Sequence, residues 1–77
     1  MEYQTVHSFK KNESEEIRIA VREYKDKVYL DARIWFKTKD SEELKPSKKG
    51  LMLNAAFVSE LRKGFEKAEE VMLAAQA

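Results

Sequence analysis

The stretch Ile17-Arg18-Ile19-Ala20-Val21-Arg22-Glu23-Tyr24-Lys25-Asp26-Lys27-Val28-Tyr29-Leu30-Asp31-Ala32-Arg33-Ile34-Trp35 decides the fold. Its side chains alternate. Ile17, Ile19 and Val21 take turns with Arg18, Ala20 and Arg22, and Val28, Leu30, Ala32 and Ile34 with Tyr29, Asp31, Arg33 and Trp35. A period of two puts each set on its own face of a strand, one buried and one wet. Lys25-Asp26-Lys27 between the runs predicts a tight polar turn, so the two strands form an antiparallel hairpin.

Outward from this hairpin the signals weaken. Thr38 to Ser47 is polar and holds the only proline, Pro46, which predicts a loop. Leu51-Met52-Leu53 then reads as a short third strand. Upstream, Thr5 to Lys10 reads as a further strand, with Asn12-Glu13-Ser14 as its turn. After Asn54 the period changes. Val58, Leu61, Phe65, Ala68 and Met72 recur at steps of three and four, the stripe of an amphipathic helix. Asn54 suits the N-cap, because its side chain can accept a hydrogen bond from an early helix amide. The predicted helix runs for about 20 residues, roughly 30 Å. Gly64 lies within it and costs about 1 kcal/mol relative to Ala. Gly64 and Ala68 are one turn apart, which reads either as a tolerated glycine or as a close approach by another backbone.

Composition sets bounds on function. The chain has 77 residues, one small domain over 1–77. A domain of this size buries only about 60% of the surface its unfolded chain exposes. Cysteine is absent, so disulfides, thiolate metal sites and thiol nucleophiles are excluded. A second copy of the chain is then an expected source of stability. The 15 basic and 14 acidic residues nearly balance, but not locally. From Ile17 to Leu53 ten basic residues face six acidic ones, whereas from Asn54 onward three face four. No apolar run approaches the roughly 20 residues of a membrane span, and Met1-Glu2-Tyr3-Gln4 lacks a signal pattern. The expected location is the cytoplasm, at the nucleoid.

The wet face of the hairpin carries the candidate chemistry. Arg18, Arg22 and Tyr24 lie opposite the first apolar set, and Tyr29, Arg33 and Trp35 opposite the second, with Lys25 and Lys27 at the turn. Aromatic rings stack on unpaired bases at about 1–3 kcal/mol per base. Basic side chains neutralise phosphates and release counterions. The same residues can also serve only as cross-strand pairs that stabilise a sheet. Glu15, Glu16, Glu42 and Glu43 form acidic pairs, but general acid–base work needs a pocket that shifts their pKa. Asp31 is expected to pair with Arg33 or Lys27. The single histidine, His7, is expected on the surface or an edge. The two glycines, Gly50 and Gly64, form no phosphate-cradling loop. Neither an enzyme nor a cofactor or metal is expected.

Three blocks carry a family resemblance. Glu16 to Lys25 and Lys27 to Trp35 resemble the first core strands of the positive cofactor 4 family of transcriptional coactivators. Leu44-Lys45-Pro46-Ser47-Lys48-Lys49-Gly50-Leu51-Met52-Leu53-Asn54 is similar to its Lys-Pro-X-basic-Lys-Gly turn, which leads into a strand and then the helix. The likeness covers about residues 16–68, and the short chain resembles the bacterial form. It implies an α+β fold, a curved four-stranded antiparallel sheet followed by one helix, dimerising through that helix. It also implies sequence-tolerant binding of single-stranded DNA in a groove formed by two sheets, with homodimer and transcription proteins as partners. Arg22, Tyr24, Lys25, Lys27, Arg33, Lys48 and Lys49 match basic or aromatic positions, Tyr24 standing where a Phe is common. The dimer contact falls on Val58, Leu61, Gly64, Phe65, Ala68 and Met72. The family's Trp position falls on Phe36, whereas alternation puts Trp35 on the wet face. Either Trp35 stacks, or a bulge turns Phe36 outward. A protein–protein adaptor and single-stranded RNA binding remain the rival readings.

Overall fold

In a computed structural model that describes residues 3–76, four strands form one antiparallel sheet in the order β1-β2-β3-β4. They are β1 (Tyr3–Lys10), β2 (Glu15–Tyr24), β3 (Lys27–Thr38) and β4 (Ser41–Asn54). A 3-10 turn (Ala55–Phe57) leads into helix α1 (Val58–Gln76). This is the expected α+β fold.

The central hairpin pairs without interruption from Glu15 opposite Phe36 to Tyr24 opposite Lys27. Its turn is shorter than the sequence predicts. Lys25 (φ 50°) and Asp26 (φ 64°) make it alone, and Lys27 already belongs to β3. Two consecutive left-handed residues match the right-handed twist of the strands they join. The β1–β2 turn is organised by Asn12, whose Oδ1 accepts from the amides of Ser14 (3.0 Å) and Glu15 (2.8 Å).

The predicted loop over 38–47 is not a loop. Lys39 and Asp40 turn the chain, and β4 then runs unbroken from Ser41 to Asn54, absorbing the short strand expected at Leu51–Leu53. Polar, proline-bearing sequence can do this because β4 is an edge strand, where a missing amide is tolerated. The segment also departs from regular pairing. Arg33 lies opposite Gly50 and Trp35 opposite Pro46, so Ser47, Lys48 and Lys49 bulge out across from Ile34 alone. Ser47 ties the bulge down. Its Oγ donates to the Ile34 carbonyl (2.7 Å) and accepts from the Lys49 amide (3.1 Å).

Asn54 caps the helical segment as expected, its Oδ1 accepting from the Ala56 amide at 2.9 Å. The helix then leaves the sheet. Leu53, Phe57, Glu60 and Leu61 line the crevice where it departs. Beyond Leu61 every described helix residue is exposed, including Phe65 and Met72, each 62% exposed. Among the described residues the only fully buried apolar side chain is Ala20. The apolar face of the sheet, with Ile17, Ile19, Val21, Leu30 and Ile34, is only half-buried. No helix among the described residues is long and apolar enough to cross a membrane.

Candidate nucleic-acid interface

Strand register collects the basic and aromatic residues on one face. Across β2 and β3, Arg18 lies opposite Arg33, Arg22 opposite Tyr29, Glu16 opposite Trp35 and Tyr24 opposite Lys27. Ala20 and Asp31 pair at the centre of this face, and both are buried by the long side chains around them. Because pairing is continuous along β2–β3, Trp35 shares the face with the arginines. Phe36 does not. It lies on the other face, paired with Glu15 and Lys45, and no bulge in the hairpin turns it over.

Asp31 is the organising charge. Only 2% exposed, it accepts from Arg33 Nε at 2.6 Å and from Arg22 Nη1 at 3.4 Å. Arg33 also donates through Nη1 to the Ser47 carbonyl at 3.0 Å, which fixes the β4 bulge to the centre of the face. The hydrogen bond to Asp31, reinforced by its charge, holds the Arg33 guanidinium even more firmly protonated than usual. The expectation that Asp31 pairs with Arg33 holds. Its second partner is Arg22, not Lys27.

Three rings of the cluster have a cation beside them. The Arg18 guanidinium carbon lies 4.2 Å from the Trp35 ring centre, Lys25 Nζ 5.4 Å from that of Tyr24, and the Arg22 guanidinium carbon 5.8 Å from that of Tyr3. All three lie within the roughly 6 Å over which a cation is attracted to an aromatic face. Tyr3, Arg22, Asp31, Arg33, Trp35 and Pro46 line a depression of about 360 Å³. Lys25, Lys27, Lys48 and Lys49 are exposed around the face, the first two at the β2–β3 turn and the others in the β4 bulge.

Sequence reading missed Tyr3 and Pro46. Tyr3 reaches Arg22 because β1 carries a bulge between Thr5 and His7. Without that one-residue shift Gln4 would stand opposite Arg22 and Tyr3 would turn to the other face. No local pattern reports it. His7 is exposed on edge strand β1, as expected. Glu15 is occupied structurally. Its carboxyl accepts from Asn12 Nδ2 at 2.8 Å, and chiefly for that reason titrates below its ordinary range. The dimer candidates Val58, Leu61, Gly64, Phe65, Ala68 and Met72 all lie on α1, Val58 and Leu61 half-buried and the others exposed. A Cβ added at Gly64 would meet nothing within 4 Å in the chain itself.

Comparison with solved structures supports the fold and a family profile gives the kinship, while a search of curated proteins found no match. The sheet and helix superpose on a crystal structure of a PC4 homologue from Burkholderia pseudomallei, with a TM-score of 0.79 at 22% identity, covering 88% of this chain and 90% of that one. They also superpose on a bacteriophage T5 homologue of the eukaryotic transcription coactivator PC4, implicated in recombination-dependent DNA replication. There the TM-score is 0.72 at 23% identity, over 99% of this chain and 90% of that one. At such identities the likeness establishes the fold. The family profile of transcriptional coactivator p15 (PC4) matches residues 11–64, from the β1–β2 turn through the basic-aromatic face into the helix. The chain therefore belongs to the transcriptional coactivator p15 (PC4) family, a nucleic-acid-binding, coactivator-type family.

Proposed function

We propose that this protein binds single-stranded DNA, with little regard to sequence, as a homodimer acting in transcription regulation or related DNA transactions in the cytoplasm. The observation that carries the reading is the one-sided collection of Arg18, Arg22, Arg33, Tyr24 and Trp35 on a sheet face, ringed by Lys25, Lys27, Lys48 and Lys49. Unpaired bases offer ring faces to Tyr24 and Trp35, and the flexible backbone offers phosphates to the cations. A duplex would hide the ring faces inside its stack.

The homodimer rests on what one chain leaves uncovered. The apolar sheet face is half-buried and the helix stripe carrying Phe65 and Met72 is open. Each fully buried large apolar side chain contributes about 1.5–3 kcal/mol, and among the described residues of one chain the only apolar side chain completely buried is the small Ala20. A second copy laying its stripe against the first supplies the missing core. The open space beside Gly64 lets two helices approach closely there.

Binding of fluorescent oligothymidylate, followed across salt concentration, tests the function. If Arg22, Lys25, Lys27, Arg33, Lys48 and Lys49 all meet phosphates, log K falls against log salt with a slope of about −4. That is roughly a 300-fold loss between 50 and 200 mM. Absence of binding at low salt would leave a protein–protein adaptor, and tighter binding of oligouridylate would redirect the proposal to RNA. Trp35→Ala is expected to weaken binding about five-fold or more while leaving the fold intact. Phe36→Ala is expected to act on stability instead. Light scattering is expected to give twice the chain mass, and Phe65→Glu to convert the dimer to an unstable monomer.

A further inference from the structure

The binding face is not open as it stands, because Arg18 covers Trp35. The Arg18 guanidinium lies 4.2 Å from the ring centre, where a stacked base would lie. Glu16, directly opposite Trp35 in the register, holds it there through a 2.8 Å bond from Arg18 Nε to its Oε2. Both side chains are largely covered, Arg18 at 28% and Glu16 at 22% exposure. A second observation concerns the same ring. Trp35 Nε1 is buried and has no hydrogen-bond acceptor. Tyr and Trp polar atoms usually find a partner when buried, so the ring is held in a position that leaves its own donor unsatisfied.

The geometry points to a gate built from Glu16 and Arg18 that single-stranded DNA must open, an inference that rests on the binding function proposed above. Glu16 stands in for a phosphate and the Arg18 guanidinium for a base. A strand entering the depression beside Trp35 exchanges both. Its base takes the indole face, Arg18 passes from the Glu16 carboxylate to a backbone phosphate, and the released ring can turn its N–H toward an acceptor on the strand. Arg18 is thus a positioning residue that lowers affinity in the free state and adds a phosphate contact in the bound state. It makes binding selective for ligands that bring a planar ring and an anion together. Neither free phosphate nor a polyanion without bases can make both exchanges.

Trp35 is the only tryptophan, so intrinsic fluorescence reports on the gate directly. The probes are oligothymidylate and, as a base-free polyanion, polyphosphate. In the free protein Arg18→Gln is expected to raise acrylamide quenching of Trp35. Oligothymidylate is expected to quench the emission of the parent protein, and polyphosphate to leave it unchanged. Glu16→Gln is expected to tighten oligothymidylate binding about two- to five-fold, the equivalent of losing a partly exposed ion pair. Glu43→Gln removes the same charge from an exposed β4 position and is expected to do less. Equal effects of Glu16→Gln and Glu43→Gln, or unchanged acrylamide quenching in Arg18→Gln, would overturn the gate while leaving DNA binding intact. A parent protein that ignores oligothymidylate altogether would overturn the binding function first.

Discussion

Asp31→Asn should destabilise the protein and strengthen its grip on single-stranded DNA at the same time. Asp31 is 2% exposed, and its carboxylate faces two guanidiniums. The bond from Arg33 is short, at 2.6 Å, and Arg33 is itself only 22% exposed, so that arm contributes about 1.5–3 kcal/mol as a hydrogen bond between charged groups. The Arg22 arm is long, at 3.4 Å, and its guanidinium is 40% exposed, so screening leaves it under about 1 kcal/mol. Asparagine keeps an acceptor for Arg33 Nε but points an amide donor at Arg22. The expected loss is about 2–4 kcal/mol, and for a domain of this size about 8 °C or more in melting temperature. The loss of Asp31 also frees Arg22 toward solvent and removes the negative charge from the centre of the binding face. Oligothymidylate should then bind more tightly at every salt concentration, because Arg22 and Arg33 meet its phosphates without first leaving a buried carboxylate. Thermal melts at fixed protein concentration and salt-dependent anisotropy measure the two effects. A variant as stable as its parent, or one that binds DNA more weakly, would refute the claim that Asp31 anchors the face while restraining its cations.

Gly50→Ala should disrupt the β4 bulge. A Cβ there would overlap the Arg33 Cβ and lie 2.5 Å from the Ala32 carbonyl oxygen, so backbone must move, at a cost of about 3 kcal/mol or more. Circular-dichroism melts would show it as a large drop, and Gly64→Ala, with open space around the new methyl, serves as the contrasting variant. Asp26→Gly should raise the melting temperature by a few degrees, since it relieves a left-handed residue at φ 64° for a gain of up to about 1 kcal/mol. An unchanged or lower melting temperature would count against a strained turn. Asn12→Ala should return the Glu15 carboxyl toward its ordinary titration range, read by NMR. Because the folded-state value is depressed, the stabilisation from Glu15 is complete above the ordinary carboxylate range and lost as pH falls through the folded value.

The alternation from Ile17 to Trp35 was enough to determine the central hairpin, its two faces and the placing of Trp35 with the arginines. A period of two is a property of the extended backbone and needs no partner strand to be read. The stripe from Val58 to Met72 determined the helix in the same way, and Asn54 the cap of the 3-10 turn that leads into it. What pairing at a distance decides could not be read locally. Polar residues 41–47 are a strand because β3 offers them a ladder, and their bulge exists because Ser47 bonds to Ile34 and Arg33. Tyr3 joins the binding face through a shift in β1 register. Asp31 is buried, and Arg18 lies over Trp35, because side chains from different strands fold across one another. The sequence by itself thus determined which residues of the central hairpin share a face. Only the tertiary structure decided which of them are held by one another, because that depends on bulges and on charges brought together from separate strands.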